Sequence, residues 1–143
     1  LLFRNRGQIM NVMLIEDDPL FGTLILNVLA KEGHHVQRLT SMEEYTIDVI
    51  SSFGPDLILM DIMLPARKGD KAQISHGGIE LGLKKFHMKE LNGNKDVPIL
   101  FISIYNLEQS GPTETVPNIL HPNWLTKPVE FDELISIIDS LEE

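Results

Sequence analysis

A short apolar run that stops on an acid constrains this chain more than any other feature: Asp56-Leu-Ile-Leu-Met-Asp-Ile-Met-Leu-Pro65. Residues 57–60 are apolar without alternation, which suits a parallel strand buried on both faces between two helix layers. Pro65 cannot extend a ladder, because it has no N–H to donate. Asp61 therefore falls at the carboxyl edge of a central strand, where open α/β sheets place their ligands. The rest of the chain is read for what it brings to that acid.

Apolar runs and helical periods alternate on both sides. A first strand is expected over 12–15, followed by Glu16-Asp17-Asp18-Pro19. Asp18 and Pro19 suit the N-cap and first position of a helix. Leu20, Phe21, Leu24, Ile25, Val28 and Leu29 keep helical spacing until Gly33. A less apolar strand over 35–39 belongs at a sheet edge. Ser41-Met-Glu-Glu44 has the spacing of a capping box and predicts that a second helix opens there, with Met42, Tyr45, Val49 and Phe53 on one face. Gly54-Pro55 turns the chain into the central strand. Ile79, Leu83 and Phe86 mark a third helix, closed at Asn92-Gly93-Asn94. Another buried strand covers 97–102, a breaker-rich stretch 106–123, and a last short strand 124–126. Phe131, Leu134, Ile135, Ile138 and Leu141 give an amphipathic closing helix.

Strands alternating with helices predict a parallel sheet with right-handed crossovers. Five such units in 143 residues fit one flavodoxin-like, doubly wound (βα)5 domain of strand order 2-1-3-4-5. Residues 1–10 show neither period and are read as an N-terminal extension without function, with Met10 a candidate natural start; 11–143 form the domain. A net charge of −9 argues against a nucleic-acid-binding face, which would be basic. No apolar run reaches the ~18 residues of a membrane span, and no signal-peptide pattern is present. The absence of cysteine removes disulfides and thiolate metal sites, and is compatible with a cytoplasmic protein. The histidines at 34, 35, 76, 87 and 121 show no ligand spacing.

In the order 2-1-3-4-5, strands one, three, four and five are neighbours. Each ends in polar groups at the same edge: Glu16 and Asp17, Asp61, Ser103, and Lys127. Two carboxylates 4 Å apart repel by about 4 kcal/mol at an effective dielectric near 20, so a proton or cation must join them. An all-oxygen donor set favours a hard ion, and Mg²⁺ is the natural candidate.

Ile15-Glu16-Asp17-Asp18-Pro19, Met60-Asp61-Ile62-Met63-Leu64-Pro65, Phe101-Ile102-Ser103 and Leu125-Thr126-Lys127-Pro128 occur in the right order and context to resemble the CheY-like receiver domain of two-component response regulators. The resemblance covers 11–143. It implies that Asp61 accepts a phosphoryl group from a phosphohistidine on a sensor kinase or histidine phosphotransfer protein. Glu16, Asp17, Asp61 and the backbone carbonyl of Met63 would hold Mg²⁺. Ser103 would donate to one phosphoryl oxygen and Lys127 would charge-pair with another, their movement switching binding to a downstream protein. Trp124 takes the position of the family's reporting aromatic, and a cis peptide is implied before Pro128.

The chain also departs from the pattern. Family spacing puts the glycine before the third helix at Gly69, whereas the helical period begins after Gly78, about nine residues later. The insert spans 66–77 and carries Arg67, Lys68, Lys71 and His76; it is either a solvated loop or a basic segment that shapes kinase choice or covers the phosphorylated site. Ser110, Gly111, Pro112, Pro117 and Pro122 predict an irregular fourth crossover, since proline costs about 3 kcal/mol inside a helix. Ile104 is bulkier than the family norm and should narrow access to Asp61. The chain ends one helix after the lysine, so a stand-alone regulator and a receiver cut from a longer protein are both open. Three other classes remain in view. A phosphatase would need a second acid where Met63 stands. A flavin carrier would not place Glu16-Asp17-Asp18 against a phosphate. A degenerate receiver would bind partners without phosphorylation.

Overall fold

The computed structural model describes residues 9–74, 77–83, 97–104 and 125–141. They form β1 (Asn11–Ile15), α1 (Pro19–Lys31), β2 (His35–Leu39), α2 (Ile47–Phe53), β3 (Leu57–Asp61), α3 (Gly77–Leu83), β4 (Ile99–Ser103), β5 (Leu125–Thr126) and α4 (Phe131–Ser140). The sheet is parallel throughout, in the order β2-β1-β3-β4-β5. This is the flavodoxin-like architecture expected from the alternation of periods.

All five residues of β3 and of β4 are buried, because helices cover both sheet faces. Side chains alternate between the two layers. Met13, Ile15, Ile58, Met60, Ile99 and Phe101 pack with Tyr45, Ile50 and Leu81 from the α2 and α3 side. Val12, Leu14, Leu57, Leu59, Leu100 and Ile102 pack with Ile25 and Leu29 of α1 and Leu134, Ile137 and Ile138 of α4. Each such side chain contributes about 1.5–3 kcal/mol by leaving water, so this double layer holds the strand ends in place. The strand over 35–39 is the exposed edge that its mixed composition predicts. At the opposite end of the sheet from Asp61, Met10 is buried, its N–H donating to Nδ1 of buried His34 at 3.0 Å.

The second helix begins later than the capping-box pattern predicts. Residues Met42–Glu44 form one 3-10 turn, and α2 starts at Ile47, capped by Thr46, whose Oγ1 accepts from Val49 N at 3.3 Å. The cause lies in where the polar groups go. Glu44 Oε1 accepts from Thr40 N, Thr40 Oγ1 and Ser41 Oγ, at 3.1, 2.8 and 2.9 Å. The Met42 and Glu43 N–H groups donate to the carbonyls of Pro65 and Ala66, at 2.9 and 3.0 Å. A turn whose donors are taken by another segment needs no capping box. Burial works to raise the Glu44 pKa, but the Thr40 and Ser41 bonds outweigh it and hold the pKa low.

Helix α3 starts at Gly77, two residues before Ile79, where the helical period read from the sequence begins. Gly78 is pressed against the end of β3: its N–H donates to Ile62 O at 2.9 Å, and a Cβ there would strike the Asp61 carbonyl. The later part of the third helix with Phe86 and Asn92-Gly93-Asn94, the irregular fourth crossover with its prolines, Trp124, and His76, His87 and His121 lie outside the described residues. No helix among the described residues is long and apolar enough to cross a membrane.

Candidate functional site

Register brings the polar residues together. Ile15 pairs with Met60, so Glu16 emerges beside Asp61; Asp61 pairs with Ile102, and Ser103 with Thr126, which places Lys127 one step further on. Glu16 is fully buried and Asp61 is 5% exposed. Lys127 closes the pair, with Nζ 2.8 Å from Glu16 Oε1 and 3.3 Å from Asp61 Oδ2. Its main chain is fixed as well: Lys127 N donates to Ser103 O at 2.7 Å, and the Lys127–Pro128 peptide is cis. The ammonium also lies 4.6 Å from the centroid of the Phe21 ring, a cation–π contact.

The loop after β1 is held from several sides. Asp18 N donates to Glu16 Oε2 at 3.1 Å, while Asp18 Oδ1 accepts from Leu20 N and Phe21 N at 2.9 and 3.1 Å, capping α1 as its sequence position predicts. From β2, Arg38 reaches across with Nε 3.1 Å from Glu16 O and Nη2 2.8 Å from Asp18 O. The guanidinium lies over Gly22, where a Cβ would collide with it.

Charge at this edge is out of balance. Burial, followed by the neighbouring charge of Glu16, pushes the Asp61 pKa up to about 8, even though Lys127 pulls the other way. Burial works against the Lys127 ammonium too, but Asp61 and Glu16 outweigh it and raise its pKa. One cation therefore does not satisfy the acids. Glu16, Asp17 and Asp61 each offer an oxygen within 4.8 Å of the others, an all-oxygen set that fits a hard divalent ion. A cavity of about 200 Å³ opens beside them, with Met63, Gln73, Ile104 and Lys127 also in its wall. Met63 N donates to Asp61 Oδ1 at 3.3 Å.

Glu16, Asp17, Asp61 and Lys127 are thus gathered as their strand-end positions predict, and Met63, which the resemblance alone implies, lines the same cavity. Ser103 is buried at the end of β4, and at this strand end the cavity wall is Ile104. Trp124 lies outside the described residues. Three contributors were not singled out from the sequence for these roles. Arg38 sits in a half-apolar edge strand, Phe21 reads as an ordinary helix residue, and Gln73 lies in a loop with no period. Only Arg38 left a signal, as the one charge inside that strand.

An aspartate buried at the carboxyl edge of a parallel 2-1-3-4-5 sheet, flanked by two acids and a lysine from neighbouring strand ends, defines a receiver-type α/β module. The model of the response regulator receiver domain matches residues 12–139, and the chain belongs to that family. It is 27% identical over 133 residues to the sensory transduction protein BceR of Halalkalibacterium halodurans, covering 91% of this chain and 48% of that protein. The chain thus spans about half the length of that relative. Among solved structures, the CheY-like receiver domain from Methylobacillus flagellatus superposes with a TM-score of 0.66 at 18% identity, covering 94% of this chain and all of that one. The BeF3-activated N-terminal receiver domain of Klebsiella pneumoniae RstA gives 0.64 at 25% identity, over 93% and 99% of the two chains.

Proposed function

We propose that this receiver is a phosphorylation-operated signalling module in which Asp61 accepts a phosphoryl group from a phosphohistidine. The P–N bond to the donor imidazole breaks as a P–O bond forms to the Asp61 carboxylate, and the imidazole leaves with the electron pair. Phosphoryl transfer asks the protein mainly for positioning and charge stabilisation. Glu16, Asp17, Asp61 and the backbone carbonyl of Met63 would hold Mg²⁺, which supplies positive charge to the phosphoryl oxygens. Lys127 keeps the rim of the site positive, then turns from the Asp61 carboxylate to a phosphoryl oxygen. Ser103 donates its hydroxyl to another oxygen. An acyl phosphate adds nearly two charges, and the movement of Ser103 and Lys127 after it is the switch, with Trp124 as its reporter. Water later hydrolyses the acyl phosphate, so the chain is a signalling module and not a turnover enzyme.

The partners on this reading are a sensor histidine kinase or a histidine phosphotransfer protein, and a downstream protein target. Nucleic acid and membrane are not direct partners, and the setting is cytoplasmic. The switching unit is 11–143, with 1–10 outside its chemistry. The observation that carries the reading is the contact of Lys127 Nζ with both Glu16 and Asp61, which draws three strand ends into one charged cluster. Incubation with a phosphohistidine donor and Mg²⁺ tests it. Label should appear on the wild type and not on Asp61→Asn. Equal labelling of the two would place the acceptor at another residue and overturn the role of Asp61; none on either would leave a phosphorylation-independent interaction module.

A further inference from the structure

Residues 62–74, after β3, fold back toward the carboxylates and are tied at several points. At its base Ile74 N donates to Leu64 O at 2.7 Å, and Leu64 N to Ile74 O at 3.4 Å, an antiparallel bridge. Its tip turns at Gly69, whose φ of 89° is left-handed backbone that glycine adopts at no steric cost. There Asp70 N donates to Arg67 O at 3.1 Å, and Arg67 N to Asp70 Oδ2 at 3.2 Å. Its flank is pinned to the 3-10 turn by Lys68 N on Glu43 Oε2 at 2.8 Å. The loop thereby delivers one side chain to the acidic cluster. Gln73 Nε2 donates to Asp17 Oδ2 at 2.7 Å, and Gln73 forms part of the cavity wall.

The geometry points to Gln73 as a positioning residue, supplied by the insert, that aims Asp17 at the divalent ion beside Asp61. This deepens the receiver reading and rests on it. Asp17 is less buried than Glu16 or Asp61, so its carboxylate needs something to hold it. An ionised carboxylate offers about four acceptor positions, so an amide on Oδ2 leaves room for a cation. The residue type matters. Lys68 and Lys71 in the same loop would repel the ion from this position, whereas an amide is neutral.

Calorimetric titration of Mg²⁺ into the full chain tests the inference without any phosphoryl transfer. Gln73→Met keeps the length and removes the donor. It should weaken Mg²⁺ binding by about tenfold, the lower range for removing a partner of a metal ligand. The urea midpoint of the metal-free protein should stay unchanged, because Gln73 is exposed. In the Asp17→Asn background, Gln73→Met should weaken binding no further, since Gln73 acts through Asp17. Binding by Gln73→Met as tight as wild type or tighter, or losses that add in the double variant, would overturn the inference and leave the receiver reading standing. No binding by the wild type itself would overturn the inference and the metal part of the receiver reading together.

Discussion

Asp61 is an acid held where an acid is hardest to keep charged, and pH should expose that. Its pKa is pushed up to about 8 in the folded chain, against an ordinary value of 3.8. Between these values the folded state binds more protons than the unfolded one, so metal-free stability falls as pH rises through the window and levels off above about 8. Asp61→Asn never ionises and should remove that slope. At pH 8 without divalent ions the variant should be more stable than wild type by several kcal/mol, at about 1.4 kcal/mol per unit of raised pKa, with the difference closing toward pH 4. Urea denaturation across pH 4–8.5 checks this; a wild type at least as stable as the variant at pH 8 contradicts it. Glu16 and Asp61 were legible in the sequence because each ends an apolar run abruptly, Asp17 because it follows Glu16, and Lys127 because it follows the last short strand. Gln73 was not, since an amide in a loop joins no period and its target lies 56 positions away. Phe21 has the opposite difficulty: its helical period hides its contact with Lys127.

Helices and strands were legible wherever the apolar period is long, and less so where hydrogen bonds decide. The Ser41-to-Glu44 pattern closes a 3-10 turn because Pro65 and Ala66, distant in the chain, take its donors. No local rule contains that information. The seat of α3 on β3 is similar, since two adjacent glycines look alike in the sequence but do different things. A Cβ on Gly78 would meet the backbone of Asp61 and Ile62, which cannot move without shifting the strand end. A Cβ on Gly77 would meet Met42 Sδ at 2.8 Å, the end of a flexible side chain that can swing aside. Gly78→Ala should therefore destabilise by about 1–3 kcal/mol, the cost of overpacking. Gly77→Ala should be near neutral, because alanine's helix preference of up to about 1 kcal/mol offsets the displaced thioether. Denaturation midpoints of the two variants give the comparison; equal losses would show that α3 does not rest on β3 through Gly78.

At the scale of the whole molecule, the alternation of strand and helix made the doubly wound sheet readable, and with it the edge where the acids meet. The same topology concentrates charge. A chain of net charge −9 gathers three carboxylates at this edge, two of them in contact with the Lys127 ammonium. Two kinds of cation effect on stability follow, and they separate cleanly. Monovalent salt screens charges across the surface over about 10 Å at 0.1 M, without regard to any one residue. A divalent ion bound only by the folded state stabilises by mass action, about 2.7 kcal/mol at a hundred times its dissociation constant. Thermal denaturation in rising Mg²⁺, with total ionic strength held constant by NaCl, isolates the second effect. The wild-type Tm should climb steadily with the logarithm of Mg²⁺ concentration once the dissociation constant is passed. Asp17→Asn, which leaves Asp61 and the Lys127 pair in place but removes one donor, should need far more Mg²⁺ to begin the climb. Parallel curves for the two proteins would mean the ion acts on the surface at large, and the strand-end acids would then hold no metal.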